Sequence, residues 1–175
     1  MSDSITRLDG IRRLSPNAVK ALGERIVANE LTFRGWLAVN TNSGEENSPN
    51  IDLIALKDEK RVTIQVKTTS ARSHKGQHFM GYYKEGGGYF NTKNGPSCDF
   101  VVAVHVYSPA RYSCLVLRTD DAERMCGEHG DYWANVPKKS GERRSPKFPV
   151  YLSVERSRKY GLDVTPFVDA WDLID

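Results

Sequence analysis

Apolar residues first follow a helical rhythm. In "SPNAVKALGERIVANELTFRGW", Val19, Leu22, Ile26 and Phe33 share a narrow arc at about 100° per residue, and Val27 and Leu31 extend it. Ser15 suits the N-cap and Pro16 the first helical position, while Gly35 ends the helix. "WLAVN" then reads as a short strand and "TNSGEENSPN" as a polar loop. In "NIDLIALKDEKRVTIQVKTTS" the rhythm changes to every second residue, which predicts two strands turning at Lys57-Asp58-Glu59-Lys60. From Ser70 to Ser97 the pattern dissolves into Gly, Tyr, Lys and Asn, an excursion that in a compact domain is either functional or disordered. "CDFVVAVHVY" and "RYSCLVLRT" predict two apolar strands around a Ser-Pro-Ala turn. "TDDAERMCGEHG" predicts a short helix, with Asp120 and Glu123 at capping-box spacing and Gly127 or Gly130 as its stop. "PKKSGERRSPK" is a basic loop and "FPVYLSV" a strand. Thr165-Pro166 opens a last helix whose Phe167, Trp171 and Ile174 dock on the body. The elements predict one α/β domain with a central mixed β-sheet flanked by helices.

The hairpin raises a chemical question. Alternation puts Ile51, Leu53, Ala55, Val62, Ile64 and Val66 on one face, and Asp52, Gln65 and Lys67 on the other, with Ile54 and Leu56 covering the rest of it. With the turn centred between Asp58 and Glu59, Asp52 falls opposite Gln65, roughly 5 Å away, and diagonal to Lys67 at about 7–8 Å. An acid, an amide and an amine thus gather at one end of one face. A hard cation such as Mg²⁺ takes oxygen ligands of this kind. Asp52 would give a carboxylate and Gln65 a carbonyl oxygen, while Lys67 would hold a water or offset charge on a phosphoryl group. A second acid comes from the first helix. Glu24 lies just beyond the edge of the apolar arc, and Glu30 lies inside it, where a carboxylate needs a partner. Glu24 is the preferred ligand.

Composition narrows the classes. The chain has 175 residues, 39% of them hydrophobic, enough for an ordinary core. No stretch is long and apolar enough to cross a membrane, and "MSDSITRLDGIRRL" carries no apolar signal region. Three widely spaced cysteines, Cys98, Cys114 and Cys126, read as reduced thiols in a cytoplasmic protein. The net charge of +3 hides two basic blocks. Residues 57–93 hold eight Lys/Arg against three Asp/Glu, and residues 136–160 hold eight against two. Two such blocks beside a candidate site suit a polyanion. Arg72, Lys75, Tyr82, Tyr83, Lys84 and Lys93 mix base with ring, a pattern that follows a phosphate backbone and stacks on unpaired bases. Lys138, Lys139, Arg143, Arg144 and Lys147 form the denser cluster, read as phosphate contacts.

"GERIVANELTFRGW", "PNIDLIA" and "IQVK", in that order, resemble the PD-(D/E)XK nuclease superfamily, in particular the Holliday-junction-resolvase-like and Mrr-like endonuclease domains. Leu31 and Gly35-Trp36, at their spacings after Glu24, agree with that pattern. The resemblance covers roughly residues 15 to 70. It implies a restriction-endonuclease-like domain over residues 1–175, with a catalytic core of about 15–120 and a basic loop, strand and helix at 136–175. It also implies Glu24, Asp52, Gln65 and Lys67 as catalytic residues. The metal would sit on Glu24, Asp52, Gln65 and the Val66 carbonyl, with Mg²⁺ as cofactor and Mn²⁺ as substitute. DNA is the implied substrate, and a homodimer suits a double-strand cutter. Two features depart from the pattern. Gln65 stands where an acid is usual, and Asn50 and Ile51 separate Pro49 from Asp52.

Each signal has a plainer rival. The Asp52, Gln65 and Lys67 face also suits a solvated hairpin, the aromatic stretch a loop pinned by its rings, and the basic cluster a solubilising surface. Cys126 and His129 lack a second pair at zinc-finger distance and read as structural, and His105 as a core histidine. The function expected is Mg²⁺-dependent hydrolysis of DNA phosphodiesters. The alternative is a nuclease fold that binds nucleic acid or a protein partner without cutting. A domain of a larger defence or toxin system is a third reading.

Overall fold

The helical rhythm becomes helix α1, Pro16–Phe33. The computed structural model describes residues 14–41, 50–70, 76–92, 95–108, 110–138, 140–142, 148–158 and 161–175. Ser15 Oγ accepts from the Ala18 N–H at 3.2 Å, and Pro16 fills the first turn. At the other end Gly35 adopts φ +82°. The Gly35 N–H donates to Thr32 O, and the Trp36 N–H donates back to Leu31 O, both at 3.0 Å. That is the Schellman arrangement, which needs a residue without Cβ at its left-handed position. Ile26, Val27 and Leu31 are buried, but Phe33 is 87% exposed. The turn folds Trp36 back into the core, where it takes the place predicted for Phe33.

Five strands form the main sheet: β1 Leu37–Asn40, β2 Leu53–Lys57, β3 Lys60–Ser70, β7 Phe100–Ser108 and β8 Arg111–Arg118. They lie in the order β1-β2-β3-β7-β8, with β3 and β7 parallel and the other pairs antiparallel. The sheet is therefore mixed. The hairpin register is the expected one, from Leu53 opposite Ile64 to Lys57 opposite Lys60. Residues Val101–Val106 of β7 are buried without a break, as a central strand covered on both faces requires.

Two cores occupy the two faces. On the first, α1 and Trp171 cover Leu53, Ile64, Val66, Val102, Val104 and Val116. On the second, helix α2 (Thr119–Asn135) and strands β4 (His78–Tyr82) and β9 (Pro149–Leu152) cover Val101, Ala103, Leu115 and Leu117. β4 and β9 pair antiparallel in a ribbon of their own, so the patternless stretch after Ser70 holds a strand the sequence did not announce. The described residues also include a short ribbon of β5 (Asn91–Thr92) and β6 (Gly95–Pro96) and a short helix α3 (Val154–Arg158). Ile51 joins the second core, not the first. Asn50 has φ +70° and the ladder begins only at Leu53, so alternation does not reach back to Ile51. Leu56, expected to cover its face, is 38% exposed, and Leu37 and Val39 of the edge strand are exposed beside it.

Two helical expectations are corrected. α2 runs through Gly127 and Gly130. A Cβ on Gly130 would lie 2.4 Å from Tyr83 Cδ2 and 2.7 Å from Tyr89 Oη, so that glycine serves close packing and not termination. Arg118 stands at the N-cap without a side-chain bond, and Glu123 turns to another segment instead of closing a capping box. The C-terminal stretch is two 3₁₀ turns, Thr165–Phe167 and Trp171–Leu173. Asp169 divides them at φ +50°. Its N–H donates to Cys114 O at 2.8 Å, and its carboxylate accepts from the Cys114 N–H at 2.9 Å. Trp171 and Ile174 still enter the first core, and Phe167 packs on the second.

Gly23 sets the distance between α1 and the sheet. A Cβ there would lie 1.9 Å from Thr68 Oγ1 and 2.9 Å from Thr68 Cβ. Alanine in place of a mid-helix glycine ordinarily gains up to about 1 kcal/mol. Here overpacking reverses the sign, and Gly23→Ala is expected to cost about 1–3 kcal/mol. The midpoint of urea unfolding measures it.

The second core has a polar end. His105 is fully buried, with Nδ1 2.9 Å from Gln77 O and 3.2 Å from Thr69 Oγ1. The His78 ring meets it edge-on at 6.0 Å, with Nε2 3.1 Å from Ser113 Oγ. Burial pushes His78 down to about 4, and His105 adds to the effect. Above pH 6.5 the histidine is neutral in both states and adds no pH dependence. Below it the unfolded chain takes up a proton that the folded chain refuses until about pH 4. Stability is thus expected to fall by up to about 3 kcal/mol between pH 6.5 and 4. Urea midpoints across that range report the slope.

Candidate active site

The site lies where α1 meets the open end of the hairpin. Because Gly23 lets the helix press onto Thr68, its neighbour Glu24 is carried to the sheet and is 5% exposed. Asp52 stands one step beyond the β2–β3 ladder, with its N–H donating to Ile64 O at 2.9 Å. Its Oδ2 accepts the Val66 N–H at 2.8 Å, so the carboxylate is fixed by the strand it faces. Glu24 Oε2 accepts from Asn40 Nδ2 of β1 at 2.8 Å. The two carboxylates meet at Lys20. Its Nζ lies 3.5 Å from Glu24 Oε1 and 3.1 Å from Asp52 Oδ1. Burial works against that ammonium, but the hydrogen bond to Asp52 and the charges of both acids hold it above its ordinary pKa.

Gln65 and Lys67 occupy alternate positions on β3, beside Val101 and Ala103 of β7. Gln65 is buried and Lys67 half-buried. Burial pulls the Lys67 ammonium below its ordinary range, Asp52 draws it back up, and Lys20 and Lys84 lower it further. Asp52, Lys20, Lys67 and Lys84 therefore share one electrostatic neighbourhood. Val66 is buried, and it is its N–H that meets Asp52. Glu30 has the partners its place in the apolar arc demands, Arg34 Nη1 at 2.5 Å and the Tyr112 hydroxyl. Glu24 is the acid that faces Asp52.

Four of the candidate nucleic-acid residues, Tyr82, Tyr83, Lys84 and Lys138, lie within the described residues. Arg72, Lys75, Lys93, Lys139, Arg143, Arg144 and Lys147 lie outside the described residues. Tyr82 is exposed, with its ring edge on Phe79 at 5.6 Å. The Tyr83 ring stacks on Phe148 at 4.8 Å, and its hydroxyl donates to Asp131 at 3.0 Å, so it serves the loop's attachment. Lys84 donates to Gly88 O at 2.6 Å, and Lys138 pairs with Glu142 at 3.4 Å on the surface. Cys98, Cys114 and Cys126 are all buried and unbridged, and His129 is buried beside the third.

Two residues at the site, Lys20 and Asn40, went unread in the sequence, and a third near it, Glu123, was read only as a capping-box residue. Lys20 was legible only through its i,i+4 spacing to Glu24. Asn40 closes a strand and gave no signal. Glu123 holds the Gly/Tyr loop, accepting the N–H groups of Gly88 at 2.5 Å, Tyr89 at 3.0 Å and Phe90 at 2.7 Å.

A mixed five-stranded sheet, crossed on one face by a helix that brings its carboxylate to a hairpin, makes this an α/β protein with a central mixed sheet. A solved structure with that fold is the bacterial homing endonuclease I-Ssp6803I. Its TM-score is 0.51 at 16% sequence identity, over 92% of this chain and 93% of that one. The likeness is one of fold. No protein-family model matches the chain, and no curated protein matches it at a significant level. Among the described residues no helix is long and apolar enough to cross a membrane.

Proposed function

We propose that the chain is a PD-(D/E)XK-type endonuclease that hydrolyses DNA phosphodiester bonds with a divalent metal. One observation carries the reading. Glu24 and Asp52, from separate elements, turn an oxygen each toward the same cation, the Lys20 ammonium, at 3.5 and 3.1 Å. Two carboxylates, with the Gln65 amide oxygen and the Val66 carbonyl of the facing strand as further donors, would make a hard oxygen donor set, which fits Mg²⁺ with Mn²⁺ as substitute. Such an ion polarises a phosphate and lowers the pKa of a bound water.

The chain's own residues do the rest. Asp52 and Glu24 hold the negative charge that attracts the ion. The Val66 N–H and the Asn40 amide fix the two carboxylates so that neither must reorganise. Lys67, half-buried beside Asp52, orients the attacking water and offsets charge at the phosphoryl oxygens. Tyr82, Lys84 and Lys138, all exposed, are the described residues offered to the polyanion. The domain spans residues 1–175, acts in the cytoplasm, and a second copy would supply the second cut of a duplex.

Nicking of supercoiled plasmid with Mg²⁺ or Mn²⁺ tests the reading, with Asp52→Ala run alongside to exclude a contaminant. Nicking lost with Asp52→Ala is the result expected. Intact plasmid with a retained gel shift would instead favour binding without cleavage. Gln65 is the residue that supports this second reading. It leaves only two acids, and among the described residues no three His, Cys, Asp or Glu side chains converge.

A further inference from the structure

Each site carboxylate gives one oxygen to the protein itself. Glu24 Oε2 is taken by Asn40 Nδ2 and Asp52 Oδ2 by the Val66 N–H, both at 2.8 Å. The other oxygen of each, Oε1 and Oδ1, is turned to Lys20. Lys20 stands one helical turn before Glu24, and its side chain is 53% exposed. Only its ammonium is engaged at the site, and its stem has an open path to solvent.

We propose that Lys20 is a displaceable counter-cation: its ammonium holds the place between Glu24 and Asp52 that a divalent ion would take, so that the two compete and Lys20 swings out when metal enters. The proposal rests on the metal-dependent reading above. Its physics is charge balance. Two nearly buried carboxylates facing each other repel, and leaving them unopposed is costly. An ammonium between them offsets that cost before any metal arrives. A divalent ion draws on the same two oxygens with twice the charge, and the positive ammonium is repelled from it at such a distance. Lysine suits the task, being a compact point charge on a flexible stem, whereas arginine's planar fork would lock onto a carboxylate. Lys20 therefore lowers metal affinity in exchange for a stable metal-free site.

Lys20→Met keeps the helical stem and removes the charge. Calorimetric titration of MnCl₂ into the full chain, without DNA, compares it with the wild type and with Asp52→Asn. Lys20→Met is expected to bind Mn²⁺ more tightly, on the order of tenfold, since it has no ion pair to break. The rise in melting temperature on adding Mn²⁺ is expected to be larger in Lys20→Met than in wild type. If the wild type binds Mn²⁺, Asp52→Asn does not, and Lys20→Met binds with equal or weaker affinity, the competition is overturned and the metal site stands. If neither the wild type nor Lys20→Met binds Mn²⁺, the metal-dependent reading itself fails and this proposal falls with it.

Discussion

Asp52→Asn is expected to abolish metal-dependent nicking, with a loss of roughly 10²–10³-fold or more, while the chain stays folded. The two effects separate because the carboxylate has two tasks on two oxygens. Oδ2 accepts the buried Val66 N–H at 2.8 Å, and Oδ1 faces the Lys20 ammonium. Asparagine keeps an acceptor for the amide and removes the charge. Alanine would remove both, leaving the Val66 N–H buried without its partner at a cost of about 1–3 kcal/mol. Initial nicking rates and urea midpoints measured on the same preparations separate a catalytic loss from an unfolded protein. A rate within threefold of wild type would show that the reaction does not use this carboxylate.

Lys67→Ala is the second large effect. Cleavage is expected to fall by roughly 10²–10⁴-fold, while DNA affinity at fixed salt changes less than about threefold. Lys67 is half-buried on the strand, and burial with the neighbouring charges of Lys20 and Lys84 already lowers its pKa, whereas a lysine serving only for phosphate binding would sit in the open. Single-turnover rates at saturating DNA read the chemical step, and a salt-controlled binding titration reads affinity. A parallel loss of both would make Lys67 a binding residue. Retained cleavage would mean that another group orients the water.

The hairpin was legible because two rhythms agreed. β-Branched alternation on both sides of Lys57-Asp58-Glu59-Lys60 leaves a single register that buries Leu53, Ala55, Ile64 and Val66 together, and the structure has it. Glu24 was legible from its place at the edge of the helical arc, although the closeness of Gly23 to Thr68 that carries it to the sheet was not. Period alone misled at two helix ends. Phe33 satisfies the arc, but a turn chosen by Gly35 places Trp36 in the core, and helical spacing does not see that. The C-terminal rings satisfy a helix too, but the pairing of Asp169 with Cys114, remote in sequence, divides it. Lys20 was missed for a different reason. A lysine on the outer side of a helix reads as a solvated charge, and only the arrival of Asp52 from another strand gives it a second partner.

The Gly/Tyr loop is held in an instructive way. Glu123 spends both carboxylate oxygens on main-chain amides, those of Gly88, Tyr89 and Phe90, and Gly86, Gly87 and Gly88 turn at φ +80°, +84° and +76°. A fastening of that kind is blind to most of the residues it holds. Glu123 and the three glycines hold the main chain of residues 86–90, so an outward position such as Tyr82 can be exchanged without re-laying it. The proposed DNA contacts could then change on an unchanged scaffold.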